Sequence, residues 1–107
     1  MNKGLHYMAD MYKCQLENDL FDKESFYKES IYSSASEAKA TILGYTSHKF
    51  KPHGVTSLLL LAESHISIHS WYEERYLSID IYTCGDSALP HKAVEYLKEV
   101  FKPETCI

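Results

Sequence analysis

The sequence predicts an α+β fold: a two-layer α/β sandwich in which two helices lie on one face of an antiparallel sheet of about four to five strands. Three observations carry this. Several short segments alternate apolar and polar residues, the period of a strand with one buried face. Two longer segments repeat small and apolar residues at helical intervals. Their order is strand, helix, several strands, helix, which suits helices gathered on one side of a sheet.

From Gly4 to Cys14 the chain places Leu5, Tyr7, Ala9 and Met11 on one side and His6, Asp10 and Tyr12 among those opposite, a first strand. Between about Asp22 and Ala40, Tyr27, Ile31, Ser34, Ala35 and Ala38 recur at helical spacing, with Ser30, Ser33 and Glu37 filling out the rest. A second strand follows over Ala40 to Phe50, with Gly44 marking a bulge or bend. Pro52-His53-Gly54 is a turn. Val55 to Ala62 is a continuous apolar run of strand length, which predicts a central strand buried on both faces. Ile66 and Ile68 alternate with Ser67 and His69, and Leu77, Ile79 and Ile81 alternate with Ser78, Asp80 and Tyr82, giving two more strands joined by the polar loop Glu73-Glu74-Arg75. Past Gly85, Asp86-Ser87-Ala88-Leu89-Pro90 is a helix start. Ala93, Val94, Leu97, Val100 and Phe101 then form one helical face, ending near Lys102 before Pro103.

At 107 residues the chain is a single domain, 1–107, with room for one core. Any deep pocket then calls for a second copy, which would also cover the sheet face the helices leave open. A hydrophobic fraction of 45% and a charged fraction of 24% are those of a soluble globular protein, with no run of about eighteen apolar residues to cross a membrane. The opening residues carry no apolar signal core, so the expected location is cytoplasmic. Three cysteines, Cys14, Cys84 and Cys106, make no CxxC pair and are odd in number, against both a disulfide framework and a zinc knuckle. A net charge of −4 without long like-charge runs lacks the footprint of a nucleic-acid binder and favours a small-molecule ligand.

Taken alone, Ser64 is a turn residue at the end of an apolar strand. Strands on both sides would put the Glu63–Ser64 peptide in a tight turn, where backbone strain weakens amide planarity and helps a neighbouring hydroxyl attack. His65 and His69 have the spacing of a helical zinc pair, but Ile66-Ser67-Ile68 between them is a strand pattern, and four strand residues rise roughly 13 Å, too far to share one ion. No metal site is expected, and His65 by itself is a solvated or hydrogen-bonded side chain. Cys84 taken alone is a small buried thiol. Phe50, in a polar stretch, and Trp71, at a strand terminus, offer stacking surfaces for a planar ring.

Together these pieces form one pattern. Gly4-x-His6, Asp10, Cys14, His48-x-Phe50, Gly54-Val55-Thr56, Glu63-Ser64-His65 with His69, Trp71 and Glu73, then Asp80 and Thr83-Cys84-Gly85 resemble, in order and spacing, the prokaryotic pyruvoyl-dependent S-adenosylmethionine decarboxylase proenzymes. The resemblance runs from Gly4 through the last helix. It implies self-cleavage between Glu63 and Ser64 into chains 1–63 and 64–107, with Ser64 becoming a covalent pyruvoyl cofactor that holds substrate as a Schiff base. It further implies that His69 is the proton acceptor in processing, Thr56 supports that step where many relatives carry serine, and Cys84 is the proton donor in catalysis. Phe50 and Trp71 would sandwich adenine, and Glu73 would bind the ribose of S-adenosylmethionine. The implied assembly is a homodimer with sites at the interface, active in polyamine biosynthesis. Two other readings stand beside it: a pyruvoyl decarboxylase of arginine or ornithine, and a non-catalytic partner of an active homologue. Three departures mark this chain. Tyr72 stands where the family usually has proline, the Glu74–Ser78 loop is bulkier and more charged, and the sequence ends at Ile107 without the usual tail.

Overall fold

The computed structural model describes residues 4–62, 64–84 and 88–107. Its strands are β1 (Leu5–Tyr12), β2 (Ile42–Lys49), β3 (Val55–Leu61), β4 (His65–Trp71), β5 (Tyr76–Thr83) and β6 (Thr105–Cys106). Its helices are α1 (Asn18–Phe21), α2 (Glu24–Glu37) and α3 (Pro90–Phe101). The strands form one antiparallel sheet in the order β2-β3-β4-β5-β1-β6. The helices α2 and α3 pack on a single face of it, α2 over β2, β3 and β4 and α3 over β1 and β5.

The alternation in the sequence becomes the two faces of this sheet. Toward the helices point Met11, Val55, Leu59, Ile66, Ile68, Leu77, Ile79 and Ile81, all 0–1% exposed. Burying each such side chain contributes about 1.5–3 kcal/mol. They meet Tyr27, Ile31 and Ala35 of α2 and Ala93, Leu97 and Phe101 of α3. Phe21, Phe26, Tyr27 and Phe101 pack as a cluster of edge-on and tilted rings, and the buried Tyr27 hydroxyl donates to the Phe21 carbonyl at 2.7 Å. Ser30, expected outside the buried stripe, is 3% exposed and satisfies its hydroxyl on the Phe26 carbonyl one turn back.

Two expectations for Val55 to Ala62 are corrected. β3 is next to the edge strand β2, and β4 and β5 are the central pair. Only one face of β3 is buried: Leu58 and Leu60 are 39% and 54% exposed, because the helices cover one side only. The sheet has six strands rather than four or five, since Thr105–Cys106 pairs with Met11 and Tyr12. There is also a third helix, the single turn α1. The predicted bulge at Gly44 is a register shift between Ile42 and Gly44. Pro90 opens α3 and Lys102 closes it in the left-handed conformation, as the sequence placed them. Of the predicted helix start, Asp86 and Ser87 lie outside the described residues, as do Glu63 and Gly85.

Candidate active site on the open sheet face

The face away from the helices carries the polar half of each alternating strand. His65 and His69 point there from β4, Thr56 from β3 and Asp80 from β5, because their strand neighbours Ile66, Ile68, Val55, Ile79 and Ile81 point into the core, and His6 of β1 joins them opposite Tyr82, its Nε2 on Asp80. The sequence-predicted residues gather on this face in two groups.

The first group is a cleft of about 500 Å³ at the end of the sheet where β3 begins and β4 finishes, and its lining includes Phe50, Thr56, His69, Trp71, Tyr72 and Glu73. His69 stands opposite Thr56 in the β3–β4 register, with Thr56 Oγ1 3.2 Å from His69 Nδ1, so one ring nitrogen is tied and the other is left for chemistry. Phe50 and Trp71 are each 47% exposed, apolar rings held open at the cleft mouth.

A carboxylate outside the predicted set holds the loop that presents Phe50. Asp22 accepts from the Gly54 N–H at 2.8 Å, from His53 Nδ1 at 2.8 Å and from Lys49 Nζ at 3.0 Å. Burial pushes this carboxyl up, but those three donors outweigh it and hold Asp22 below the usual carboxylate value. Gly54 sits at φ +120°, a conformation side chains rarely adopt. His53 stacks on Tyr72 with ring centroids 3.9 Å apart, and Arg75 lies over both Tyr72 and Phe21. The tyrosine that departs from the family pattern is thus the middle of a stack that ties the loop after β4 to α1.

The second group lies at the opposite end of β4. The Leu61 N–H donates to the Ser64 carbonyl at 2.9 Å, closing the turn between β3 and β4, and His65 pairs with Tyr82, which brings Ser64 and the exposed Cys84 to the same end of neighbouring strands. Cys84 is exposed rather than buried, since it follows the last residue of β5. Here too are residues of the sequence pattern for which the resemblance implies no catalytic role. Ser64 Oγ is 3.2 Å from His65 Nδ1, and His65 Nε2 is 2.8 Å from Asp80 Oδ2. The other Asp80 oxygen takes His6 Nε2 at 2.5 Å. Gly4 lies against the Tyr82 ring here; a Cβ on it would meet the phenol oxygen at 2.0 Å.

Five residue steps lead from Ser64, just before β4, to His69, roughly 16 Å along the strand. Within one chain the two groups are therefore apart. A larger hollow of about 880 Å³, lined among others by Tyr12, Cys14, Trp71, Arg75 and Tyr76, contains neither Ser64, His69 nor Cys84. Burial pushes the Cys14 thiol in its wall up to about 12, which leaves it protonated and inert.

The family model described as S-adenosylmethionine decarboxylase matches residues 5–107. The chain belongs to this family. It is 43% identical to the S-adenosylmethionine decarboxylase proenzyme of Synechococcus sp. (strain WH7803), over 92% of this chain and 76% of that protein. It is 38% identical to the proenzyme of the same name from Thermosipho africanus (strain TCF52B), over 94% and 76%. The crystal structure of the adenosylmethionine decarboxylase from Aquifex aeolicus superposes with a TM-score of 0.89 at 34% identity, covering 99% of this chain and 86% of that one. The α+β sandwich expected from the sequence is this family's fold.

Proposed function

We propose that this S-adenosylmethionine decarboxylase family member cuts itself between Glu63 and Ser64, converts Ser64 into a pyruvoyl group, and decarboxylates S-adenosylmethionine as the aminopropyl donor for polyamine synthesis. Each site is built from two copies of the chain, the Ser64–Cys84 end of one and the Phe50–His69–Glu73 cleft of the other. The observation that carries this reading is the split itself: one open face bears every described residue of the predicted set, in two groups roughly 16 Å apart along β4. Two open faces meeting antiparallel about a two-fold axis bring unlike ends together, twice.

Ser64 Oγ attacks the carbonyl carbon of residue 63, the carbon–nitrogen bond breaks, and the amide becomes an ester with a free Ser64 amine. His69 of the second copy, held at Nδ1 by the Thr56 hydroxyl, removes the Ser64 α-proton through Nε2. The carboxylate of residue 63 leaves, dehydroalanine remains, and water replaces its nitrogen as ammonia to give the ketone. Ser64 fits this conversion, being at a closed turn with its hydroxyl on an imidazole. Once formed, the pyruvoyl group supplies an electron sink for decarboxylation of a bound amino acid. Phe50 and Trp71 stack on adenine, Glu73 accepts from the ribose hydroxyls, and the Cys84 thiol gives a proton to the product carbon.

Intact-mass analysis tests the reading. The purified protein should contain chains 1–63 and 64–107, the smaller with a blocked N-terminus, and should release carbon dioxide from S-adenosylmethionine. A Ser64→Ala protein that still yields two chains would overturn it.

A further inference from the structure

The first step needs a group to take the Ser64 hydroxyl proton; His69 of the same chain is a strand length away and the second copy's His69 serves the α-proton of the later step, whereas His65 Nδ1 lies 3.2 Å from the hydroxyl. We infer that His65 is that group: a catalytic base for the acyl shift, held by Asp80 and His6 in a Ser64–His65–Asp80–His6 relay across the open face. The inference rests on the self-cleavage proposed above and adds the base for its first step.

The geometry assigns each proton. Asp80 has no proton to give as a carboxylate, so His65 Nε2–H is the donor across 2.8 Å. That leaves His65 Nδ1 as a bare lone pair 3.2 Å from Ser64 Oγ, able only to accept from the hydroxyl. The second Asp80 oxygen is occupied by His6 Nε2, so the carboxylate is gripped from both sides and cannot swing away. Partial burial pushes Asp80 up, but the hydrogen bonds from His65 and His6 outweigh that and hold it below the usual carboxylate value. Three strands supply the parts, β4, β5 and β1, and their register fixes the spacing: His65 and His6 both stand opposite Tyr82, on either side of β5, with Asp80 two residues along on the same face. Among the described residues no three His, Cys, Asp or Glu side chains converge as they would on a metal ion.

In the step itself His65 Nδ1 takes the Oγ proton as Oγ bonds to the carbonyl carbon of residue 63. The same proton then goes to the Ser64 nitrogen as the carbon–nitrogen bond breaks, so the amide and ester are isomers and His65 ends neutral. Asp80 and His6 act through His65 and are positioning residues.

The test follows processing of freshly translated protein by intact mass. His65→Ala should slow appearance of two chains by about 10²-fold or more, the contribution of a placed base. The uncut chain should be an amide that hydroxylamine leaves whole, whereas His69→Ala should accumulate an ester that hydroxylamine cuts. Imidazole added to His65→Ala should recover part of the rate, which a merely structural histidine would not show. Should alanine at 65 unfold the protein by circular dichroism, His65→Gln, polar but without a base, carries the same comparison. Asp80→Asn should slow processing roughly 10- to 100-fold, the worth of one charge-assisted hydrogen bond to the ring, with Asp80→Glu recovering more of the rate. Wild-type processing in a folded His65→Ala or His65→Gln protein, or hydroxylamine-sensitive ester in it, would overturn the inference. Two chains from Ser64→Ala would instead sink the cleavage reading itself.

Discussion

The two ends of the open sheet face are made of different materials. Around Ser64 the side chains are small or polar and hydrogen-bonded to one another, a serine, two histidines and a carboxylate within 2.5–3.2 Å of the next. Around His69 they are large rings that touch their neighbours mostly at tilted or edge-on angles, with a cleft between them. The first end is suited to moving protons about a covalent bond, and the second to holding a flat ligand. In the proposed reading neither end is an active site alone, because the extended strand between them keeps the two apart within one chain. On that reading, pairing of two copies is a condition of activity.

The comparison breaks most completely at Ser64. Ser64→Ala should abolish both cleavage and decarboxylation, read on a denaturing gel and by labelled carbon dioxide release, since no other group replaces the hydroxyl. Mixing tests whether the ends come from different copies. Ser64→Ala and His69→Ala proteins should each be inactive, yet refolded together they should recover about a quarter of wild-type activity. Half of randomly paired dimers are then mixed, and each mixed dimer holds one intact site of two. No recovery would mean both ends act within one chain.

Cys84→Ala should separate maturation from turnover: two chains still form, while decarboxylation falls by a factor on the order of 10² to 10⁴. Wild-type turnover would reduce Cys84 to a structural thiol. At the other end Trp71→Ala should leave cleavage intact and raise KM for S-adenosylmethionine about tenfold, as loss of one stacking ring does. A change in kcat alone would argue against stacking.

The smallest effect is expected at Asp22, which shapes the cleft from behind. Its carboxyl is held below the ordinary 3.8 in the folded protein, so the stability it contributes is fully present above that value and is lost as pH falls through the depressed folded value. Asp22→Asn should therefore lower the melting temperature by a few degrees near neutrality and flatten its decline in acid. An unchanged acid limb would show that the clamp on the Phe50 loop has no energetic weight.

Much of the architecture was legible because it depends on period. Ile66 and Ile68, and Leu77, Ile79 and Ile81, alternate strictly and each lies in the core; Tyr27, Ile31 and Ala35 fall on one helical stripe and do the same. What period could not show was anything shorter than a period. The single turn of α1 and the two residues of β6 exist because neighbours hold them, Glu17 and Phe21 by one backbone bond and Thr105–Cys106 by the edge of β1. The run from Val55 to Leu61 misled for a related reason. Leu58 and Leu60 lie exposed on the face the helices leave open, so an unbroken apolar run did not report burial on both sides.

Among the candidate functional residues, the sequence by itself singled out Ser64, His69, Cys84, Phe50 and Trp71, because together they resemble a family pattern that runs along the chain, and the resemblance implies their roles. The tertiary structure alone decided which of them meet. His6 and Asp80 are 74 residues apart and Asp80 and His65 are 15 apart, yet they share one hydrogen-bonded line. Ser64 and His69, only five apart, are held at a distance. A strand keeps near neighbours extended and brings distant segments side by side at about 4.8 Å, so closeness in sequence and closeness in space run in opposite directions across this sheet.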